Sequence, residues 1–354
     1  METRRYIMKQ LLMAALATML LSGCSLIDDE LGERKSYEVD YELRLVTNMT
    51  TEIKTQLSTE LEVGLAHALK EHLSGIFTDY AHDVDLSFYD TEGAMPRLQH
   101  DQHIMDANQQ SYTLYLPMHQ YMHLAVANVV DNPVVGLNGD EFCPQSHLST
   151  VIGSTAADTI ASHTTGLFTA RQPMDVKEGV DQTFNVHLYM ANCAAALVVD
   201  PRGHDVSSLK VFSTGFASQF NIKDSAYVFA AHDPIVRTQL VRAEDTDEKC
   251  YCSVTFPSRE PYYNDKTRSV IETEEPFENE DCDEPVWYFI AYITNKDGSV
   301  TKTVLGIRRS LRAGQLMIIK GYVTDDGAVK TDDPRVGVSV SLDWNQGGTY
   351  EPEL

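Results

Sequence analysis

Cys24 is the residue whose setting points most clearly to a chemical modification. It follows an apolar run, Leu11–Leu21, which is too short to span a bilayer, since a spanning helix needs ~20 residues. The run is preceded by three cationic residues, Arg4, Arg5 and Lys9. Together with the small residues Ser22 and Gly23, this pattern predicts a secretory signal peptide over residues 1–23.

The four residues that end in Cys24, Leu-Ser-Gly-Cys, resemble a bacterial lipobox. A signal of this kind is cut before the cysteine, so we expect cleavage between Gly23 and Cys24 and acylation of the Cys24 sulfur and its new amino group. The alternative is an ordinary signal peptide with a cysteine nearby by chance. One acyl chain holds a protein only marginally, whereas several chains make a stable anchor. The sequence therefore predicts membrane attachment through lipid on Cys24.

An acidic segment follows the predicted lipid site. Asp28, Asp29 and Glu30 follow it within six residues, and we assign residues 24–36 to a lipidated acidic tether. Acidic and polar residues cannot bury enough apolar surface to fold, so this segment is expected to be solvated. The acids also resemble a signal that displays lipoproteins of gut and oral anaerobes on the outer face of the outer membrane. The two interpretations are compatible.

Five further cysteines follow, and an odd number leaves at least one of them unpaired within the chain. Cys250 and Cys252 share the phase of Val254 in an alternating run, which favours burial in a core. A zinc site is a poor interpretation because no histidine is close to them in sequence. Export favours oxidation, so we expect either one disulfide, joining Cys282 to Cys250 or Cys252, or free thiols throughout. The remaining two are Cys143 and Cys193.

Histidines provide the other candidates for metal or catalytic chemistry. His119 and His123 have the spacing of a helical metal site, but the residues around them alternate as in a strand. Neither a carboxylate nor a third ligand is near them in sequence, so we predict no metal site. The sequence also has no nucleophile-elbow serine, phosphate-binding glycine loop or zinc-protease motif. We therefore predict no enzyme activity, no cofactor and no small-molecule substrate.

The charge balance argues against nucleic acid as a partner. The chain has 28 Lys and Arg against 52 Asp and Glu, which gives a formal net charge of −24. Removal of residues 1–23 deletes three cations and one acid, so the mature chain carries −26. A surface this acidic repels phosphate backbones and anionic headgroups. The apolar fraction of 43% is sufficient to bury two cores in a chain of this length.

Period-two alternation runs through the mature chain and predicts a mainly β protein. Val39, Tyr41 and Leu43 alternate with charged residues, as in a strand with one wet face. A hairpin is expected at Asn295–Gly298, where Gly298 can adopt the positive φ that the turn needs. Further strands are predicted at Val84–Phe88, Tyr112–Met118, Met122–Val126, Phe184–Met190, Leu209–Phe212, Tyr227–Ala230, Tyr251–Phe256, Val286–Thr294, Val300–Ile307, Leu316–Tyr322 and Val336–Trp344. Many short strands separated by turn signals indicate β-sandwiches.

One segment has the periodicity of a helix. Apolar residues spaced by four run from Ile53 to Phe77, with acids and lysines on the opposite side. Thr59 and Glu62 have the spacing of a capping box, so the regular helix is expected to begin there. A partner helix or a membrane surface is an alternative target for the apolar stripe, but the polar side has few cations for a membrane. We predict a helix that packs on its own sheet.

A polar stretch divides the mature chain into two β-rich halves. The segment from Ala170 to Gln182 contains Pro173 and Gly179, and we place a domain boundary near Gly179. The predicted domains are residues 37–178 and 179–354. Exposed loops are expected in the second half at Arg242–Lys249 and Glu272–Glu284.

Three stretches resemble the minor fimbrial anchor subunits of type V pili, the fimbrillin-A-associated anchor family. The first is the lipobox and acidic tether followed by the strand that contains Tyr41-Glu42-Leu43-Arg44-Leu45. The second is the helix that leads into Phe77–Asp90, and the third is the tail Leu311–Gly348. The similarity spans most of the mature chain, and it consists in the order of these features along the sequence.

The resemblance implies two transthyretin-like β-sandwich domains, export as an outer-membrane lipoprotein, and assembly with a major fimbrial subunit by strand exchange. In the stalk subunits of such pili an Arg-specific protease removes the first strand, and a neighbour's C-terminal strand fills the groove. Anchor subunits keep their lipid and first strand. Arg34 and Arg44 are the candidate processing sites in this chain. The resemblance therefore predicts a lipid-anchored pilus base, whereas cleavage at either arginine would give a stalk or tip subunit.

The C-terminal run Val336–Trp344 has two interpretations within this scheme. Its large apolar residues alternate with small or polar ones, so it offers one apolar face. It either completes the sheet of its own second domain or is donated to the adjacent subunit. Pairing within one chain costs less entropy, so we predict that it stays in its own fold.

Two other classes of function remain open. A surface glycan- or ligand-binding lipoprotein would need exposed aromatic rings, for which Tyr262, Tyr263 and Trp287 are candidates, and packing in a sandwich is their other interpretation. A surface hydrolase would need a pair of carboxylates in a deep cleft.

Overall fold

The computed structural model describes residues 36–46, 61, 63–78, 81–93, 97–105, 111–129, 136–138, 151–153, 159–230, 232–244, 246–260 and 284–343. In these ranges the chain forms many strands and one helix, which confirms the predicted mainly β fold. None of the helices described is long and apolar enough to cross a membrane. Several residues of the predicted sites lie outside the described residues: Cys24, Arg34, Cys143, Tyr262, Tyr263, Cys282 and Trp344.

The first half of the chain contributes one helix and all seven strands of the largest sheet described. Its elements are β1 (Ser36–Val46), α1 (Val63–Ile76), β2 (Asp83–Asp90), β3 (Arg97–Met105), β4 (Ser111–Pro117), β5 (Gln120–Ala127), β6 (Gly136–Asn138), β7 (Val151–Gly153), β8 (Thr159–Ala161), β9 (Phe168–Asp175) and β10 (Gln182–Met190).

Among its described residues, the second half of the chain forms strands as its only regular elements. They are β11 (Cys193–Asp200), β12 (Lys210–Thr214), β13 (Gln219–Asn221), β14 (Ala226–Val228), β15 (Ile235–Arg237), β16 (Gln239–Val241), β17 (Lys249–Thr255), β18 (Trp287–Thr294), β19 (Val300–Ile307), β20 (Leu316–Val323), β21 (Val329–Lys330) and β22 (Val336–Asp343).

These strands form four sheets. The first sheet has the order β3-β2-β5-β9-β10-β1-β4. We call β16-β17-β11-β20-β21 the middle sheet and β22-β19-β18-β12-β15-β8 the outer sheet. A small sheet has the order β14-β13-β7-β6.

The middle sheet is covered on both faces. In β11, Ala194, Ala196 and Val198 belong to the core that faces the first sheet and α1. The residues between them in sequence, including Ala195 and Leu197, belong to the core that faces the outer sheet. An uninterrupted apolar strand is what burial on two faces requires, because successive side chains point to opposite sides. The two halves of the chain therefore share a continuous set of layers.

Helix α1 fills the space between the first sheet and the middle sheet. Leu65, Leu69 and Leu73 are fully buried, and they pack in one core with residues of both sheets. Val63, on the outer side of the helix, is 87% exposed. The apolar stripe predicted from the spacing of four is thus a core stripe over the described part of the helix.

The polar segment predicted to separate two domains lies within the first sheet. β9 pairs with β5 from Phe168 to Asp175, and β10 pairs with β9 and, in parallel, with β1. Gly179 occupies the turn between β9 and β10, with a φ of +69°. The chain leaves the first sheet only after Met190. On the basis of this pairing, we propose a domain boundary in the connection between β10 and β11.

The predicted hairpin and C-terminal strand both occur in the outer sheet. β18 and β19 pair antiparallel across the turn at Asn295–Gly298, in which Gly298 has a φ of +84°. β22 pairs with β19 from Val336 to Asp343 and forms one edge of the sheet. Over Val336–Asp343 the strand therefore pairs within its own fold, as predicted, and its retention there in an assembled fimbria stays a prediction.

Candidate functional site

The first strand occupies a groove inside its own sheet. β1 pairs in parallel with β10 from Val39 to Val46 and antiparallel with β4 from Ser36 to Glu42. The charged side chains of β1 lie on the opposite face from its buried residues. This arrangement explains the alternation in the sequence, because one face of β1 is core and the other is wet.

Three side chains of β1 contribute directly to the core. Val39, Tyr41 and Leu43 are 1%, 0% and 3% exposed. Burial of one large apolar side chain stabilises a protein by about 1.5–3 kcal/mol, so these three contribute on the order of 5–9 kcal/mol. Whole proteins are stable by only about 5–15 kcal/mol. The groove therefore cannot remain empty without a strand to replace β1.

Tyr41 also makes a hydrogen bond that fixes β1 against the middle of the sheet. Its hydroxyl lies 2.7 Å from His123 Nε2, and His123 Nδ1 lies 3.1 Å from the carbonyl oxygen of Ser87. A carbonyl can only accept, so Nδ1 carries the proton, Nε2 accepts, and the Tyr41 hydroxyl donates. The His123 ring stacks on Phe88 with 4.3 Å between ring centroids. Burial lowers the pKa of His123 to about 4, which agrees with a neutral ring.

Arg44, one of the two candidate processing sites, lies within β1. Its side chain is exposed, and its backbone is opposite His187 of β10 in the parallel ladder. Cleavage after Arg44 would separate all three core side chains of β1 from the rest of the chain. Processing at this position remains a prediction, as does processing at Arg34.

The cysteines of the described strands are buried thiols. Cys193, Cys250 and Cys252 are each 0% exposed and free. Burial raises the pKa of Cys250 to about 12 and raises that of Cys252 well above its usual value. These groups are protonated and inert at neutral pH, because the thiolate is the reactive form. A disulfide from either residue to Cys282 remains a prediction.

The two histidines at helical spacing do not act together. His123 is buried in β5, whereas His119 lies in the turn between β4 and β5. His119 instead meets two carboxylates from the end of β2, with Nδ1 3.1 Å from Glu92 Oε2 and 3.4 Å from Asp90 Oδ2. The sequence interpretation missed this group because the fold brings together residues that are far apart in the chain.

Trp287 does not contribute to an exposed aromatic platform. Its side chain is 0% exposed, packs against Phe216 and Phe289, and donates a hydrogen bond from Nε1 to the Arg309 carbonyl at 2.9 Å. Its role is packing in the core between the middle and outer sheets.

Comparison with solved structures gives matches over most of the chain. A candidate adhesin from Bacteroides ovatus ATCC 8483 is 12% identical with a TM-score of 0.50, covering 84% of this chain and 93% of its own. A second candidate adhesin from Bacteroides ovatus is 10% identical with a TM-score of 0.50, covering 88% of this chain and 97% of its own. The fimbrial anchor protein Mfa2 from Porphyromonas gingivalis is 10% identical with a TM-score of 0.45, covering 87% and 97%.

No protein-family model and no curated protein matches the chain. The three structures named above are described as two candidate adhesins and a fimbrial anchor protein. The predicted resemblance is thereby confirmed as a likeness of fold. The chain is similar in fold to candidate adhesins and minor fimbrial proteins of Bacteroides and Porphyromonas.

Proposed function

We propose that this chain is the lipid-anchored base subunit of a type V fimbria on the bacterial outer membrane. The observation that supports this role best is the position of β1, which fills its own groove with backbone pairing on both sides. A stalk subunit that assembles by strand exchange must open this groove. A base subunit has no such need, because its N-terminal side faces the membrane.

The physical reason for strand exchange also explains why a filled groove suits a subunit at the end of a pilus. A groove without its strand exposes unpaired N–H and C=O groups and an apolar strip, and an incoming strand satisfies both. In this chain β1 already supplies the backbone partners and buries Val39, Tyr41 and Leu43. The groove offers no vacancy to a donated strand while β1 is retained.

The distance between the predicted lipid and the fold suits an anchor. Ser36, where β1 begins, lies twelve positions after Cys24, with eleven residues between them. An extended tether of that length reaches ~40 Å. A tether of this length keeps the first sheet within reach of the membrane. It also leaves enough distance for the acidic chain, which carries −26 after cleavage, to avoid repulsion by anionic headgroups.

The major fimbrial subunit would then bind at a surface other than the β1 groove. β22 is paired within the outer sheet, so the described part of this strand is not free to be donated. Val338 and Val340 are 39% and 42% exposed at this sheet edge. An edge strand with exposed apolar side chains is suited to pairing with another chain.

The test replaces Cys24 by serine in the organism that assembles the fimbria. The proposal predicts that Cys24→Ser moves the protein out of the membrane fraction and releases assembled fimbriae from the cells. Cys143→Ser provides a control, since it makes the same chemical change outside the lipobox, and we expect this variant to stay in the membrane. Retention of Cys24→Ser in the membrane would overturn the lipid anchor. Release of the protein while fimbriae stay attached would overturn the role as base.

A further inference from the structure

Two carboxylates and one imidazole converge at one end of the first sheet. Asp90 ends β2, Glu92 follows two residues later, and His119 lies in the turn that joins β4 to β5. One ligand atom from each residue lies within 4.8 Å of the other two. His119 is 9% exposed, whereas the Glu92 side chain is 53% exposed and gives the group access to solvent.

We propose that Asp90, Glu92 and His119 bind a divalent transition-metal ion that holds this end of the first sheet together. Nitrogen and oxygen ligands lie about 2.0–2.2 Å from an ion such as Zn²⁺. Two ligands at that distance, at the angles of tetrahedral or octahedral coordination, are about 2.9–3.5 Å apart. The distances from His119 Nδ1 to Glu92 Oε2 and Asp90 Oδ2, 3.1 and 3.4 Å, both fall in this range.

The backbone already holds the carboxylates in place. The Glu92 N–H donates to Asp90 Oδ1 at 2.9 Å, so the other oxygen of Asp90 is the one turned towards His119. Thr91 donates from its N–H and from its hydroxyl to the carbonyl of Gln120, at 3.0 Å in both cases. The segment that carries both acids is therefore tied to the residue next to His119.

A third chain segment holds His119. The Val176 N–H, just after β9, donates to the His119 carbonyl at 3.0 Å. The His119 ring also meets Tyr121 edge to face, with 5.8 Å between ring centroids. Positioning of ligands by surrounding groups is typical of metal sites and lowers the entropy that binding must overcome.

The position of the group suggests what the ion would do. Pro117 of β4 pairs with Ser36, the first residue of β1, and His119 follows two residues later. An ion here would join the end of β2 to the β4–β5 turn beside the point where the tether enters the fold. The imidazole and carboxylate donors suit Zn²⁺ or Mn²⁺, with water in the remaining positions.

The experiment titrates Zn²⁺ into the purified full-length protein in detergent, after treatment with a chelator, and follows binding by calorimetry. We expect one ion per chain and a rise in the thermal midpoint on binding. Glu92→Gln and His119→Gln should each weaken binding at least about tenfold, since loss of an outer-shell partner alone typically lowers metal affinity by about 10–100-fold. Glu92 is half-exposed, so its variant is expected to fold even if the His119 variant does not.

His103→Gln provides the matched control. His103 Nδ1 lies 2.7 Å from Asp85 Oδ1, which makes a histidine–carboxylate pair on neighbouring strands of the same sheet. Zn²⁺ binding should be unchanged in this variant. The proposal is overturned if the wild-type protein shows no stoichiometric binding, or if Glu92→Gln binds as tightly as wild type, or if His103→Gln loses the ion.

Discussion

Tyr41→Phe removes one hydroxyl from the interior of the first sheet and leaves the shape of the ring in place. Tyr41 and His123 are both fully buried, and 2.7 Å separates the hydroxyl from Nε2. The variant leaves Nε2 as a buried acceptor that has lost its donor. A buried polar group without a partner costs about 1–3 kcal/mol, so we expect the free energy of unfolding to fall by that amount.

Urea unfolding of the two proteins, followed by circular dichroism, measures this difference. Tyr115→Phe is the matched control, because Tyr115 is 60% exposed on the neighbouring strand β4 and its hydroxyl donates to Glu38 at 3.3 Å. The control should change stability by no more than about 0.5 kcal/mol, as is usual at a surface. Equal stability of Tyr41→Phe and wild type would refute the reasoning, since it would mean that the buried hydrogen bond does not hold β1 in its groove.

Two further predictions concern helix α1 and two buried histidines, His123 in β5 and His163 just after β8. Burial lowers the pKa of both His123 and His163 to about 4 from the ordinary value of 6.5, so between those pH values the unfolded chain binds protons that the folded chain does not. Stability should fall as the pH decreases from 6.5 to 4, by up to about 3 kcal/mol for each histidine, and urea midpoints that stay constant over this range would contradict the assignment. Leu65→Asp should destabilise the protein by several kcal/mol because it places a charge in the core, whereas Val63→Asp, at an 87% exposed position of α1, should be close to neutral in the same unfolding assay. A stable Leu65→Asp variant would show that the stripe of α1 is not core.

The elements with a strong local pattern could be predicted from the sequence. The alternation in β1 determines which of its residues are buried, and the spacing of four in α1 does the same for the helix. The turn at Gly298 follows from its conformational freedom. In each case the periodicity of side-chain burial is a property of the segment itself, so it is visible before any partner is known.

The strands that depend on their partners could not be predicted in this way. β9 contains Pro173 and polar residues, and it forms a strand because it pairs along its whole length with β5. β11 is an unbroken apolar run that lacks alternation, since both of its faces are covered. Tertiary context overrides local propensity in both strands. The same effect places Gly179, the predicted domain boundary, in a turn between two strands of one sheet.

The candidate metal group is also a product of the tertiary structure. Two strands, β3 and β4, separate His119 from Glu92 in the sequence, and the antiparallel pairing of β2 with β5 brings the two residues together. The sequence spacing suggests that His119 and His123 act together, but in the structure they do not, because the first residue lies in a turn and the second in a strand. Asp90 and Glu92 could be identified as neighbours of His119 only from the register of the sheet.

The most direct test of the proposed role is the N-terminus of the protein isolated from fimbriated cells, determined by mass spectrometry. A lipid-anchored base subunit must begin at an acylated Cys24 and must retain β1, including Tyr41 and its bond to His123. We predict that the N-terminal peptide carries acyl chains on Cys24 and continues unbroken through Arg44. An unmodified N-terminus directly after Arg34 or Arg44 would contradict the account, because it would show that the chain loses its lipid and enters the fimbria as a processed subunit.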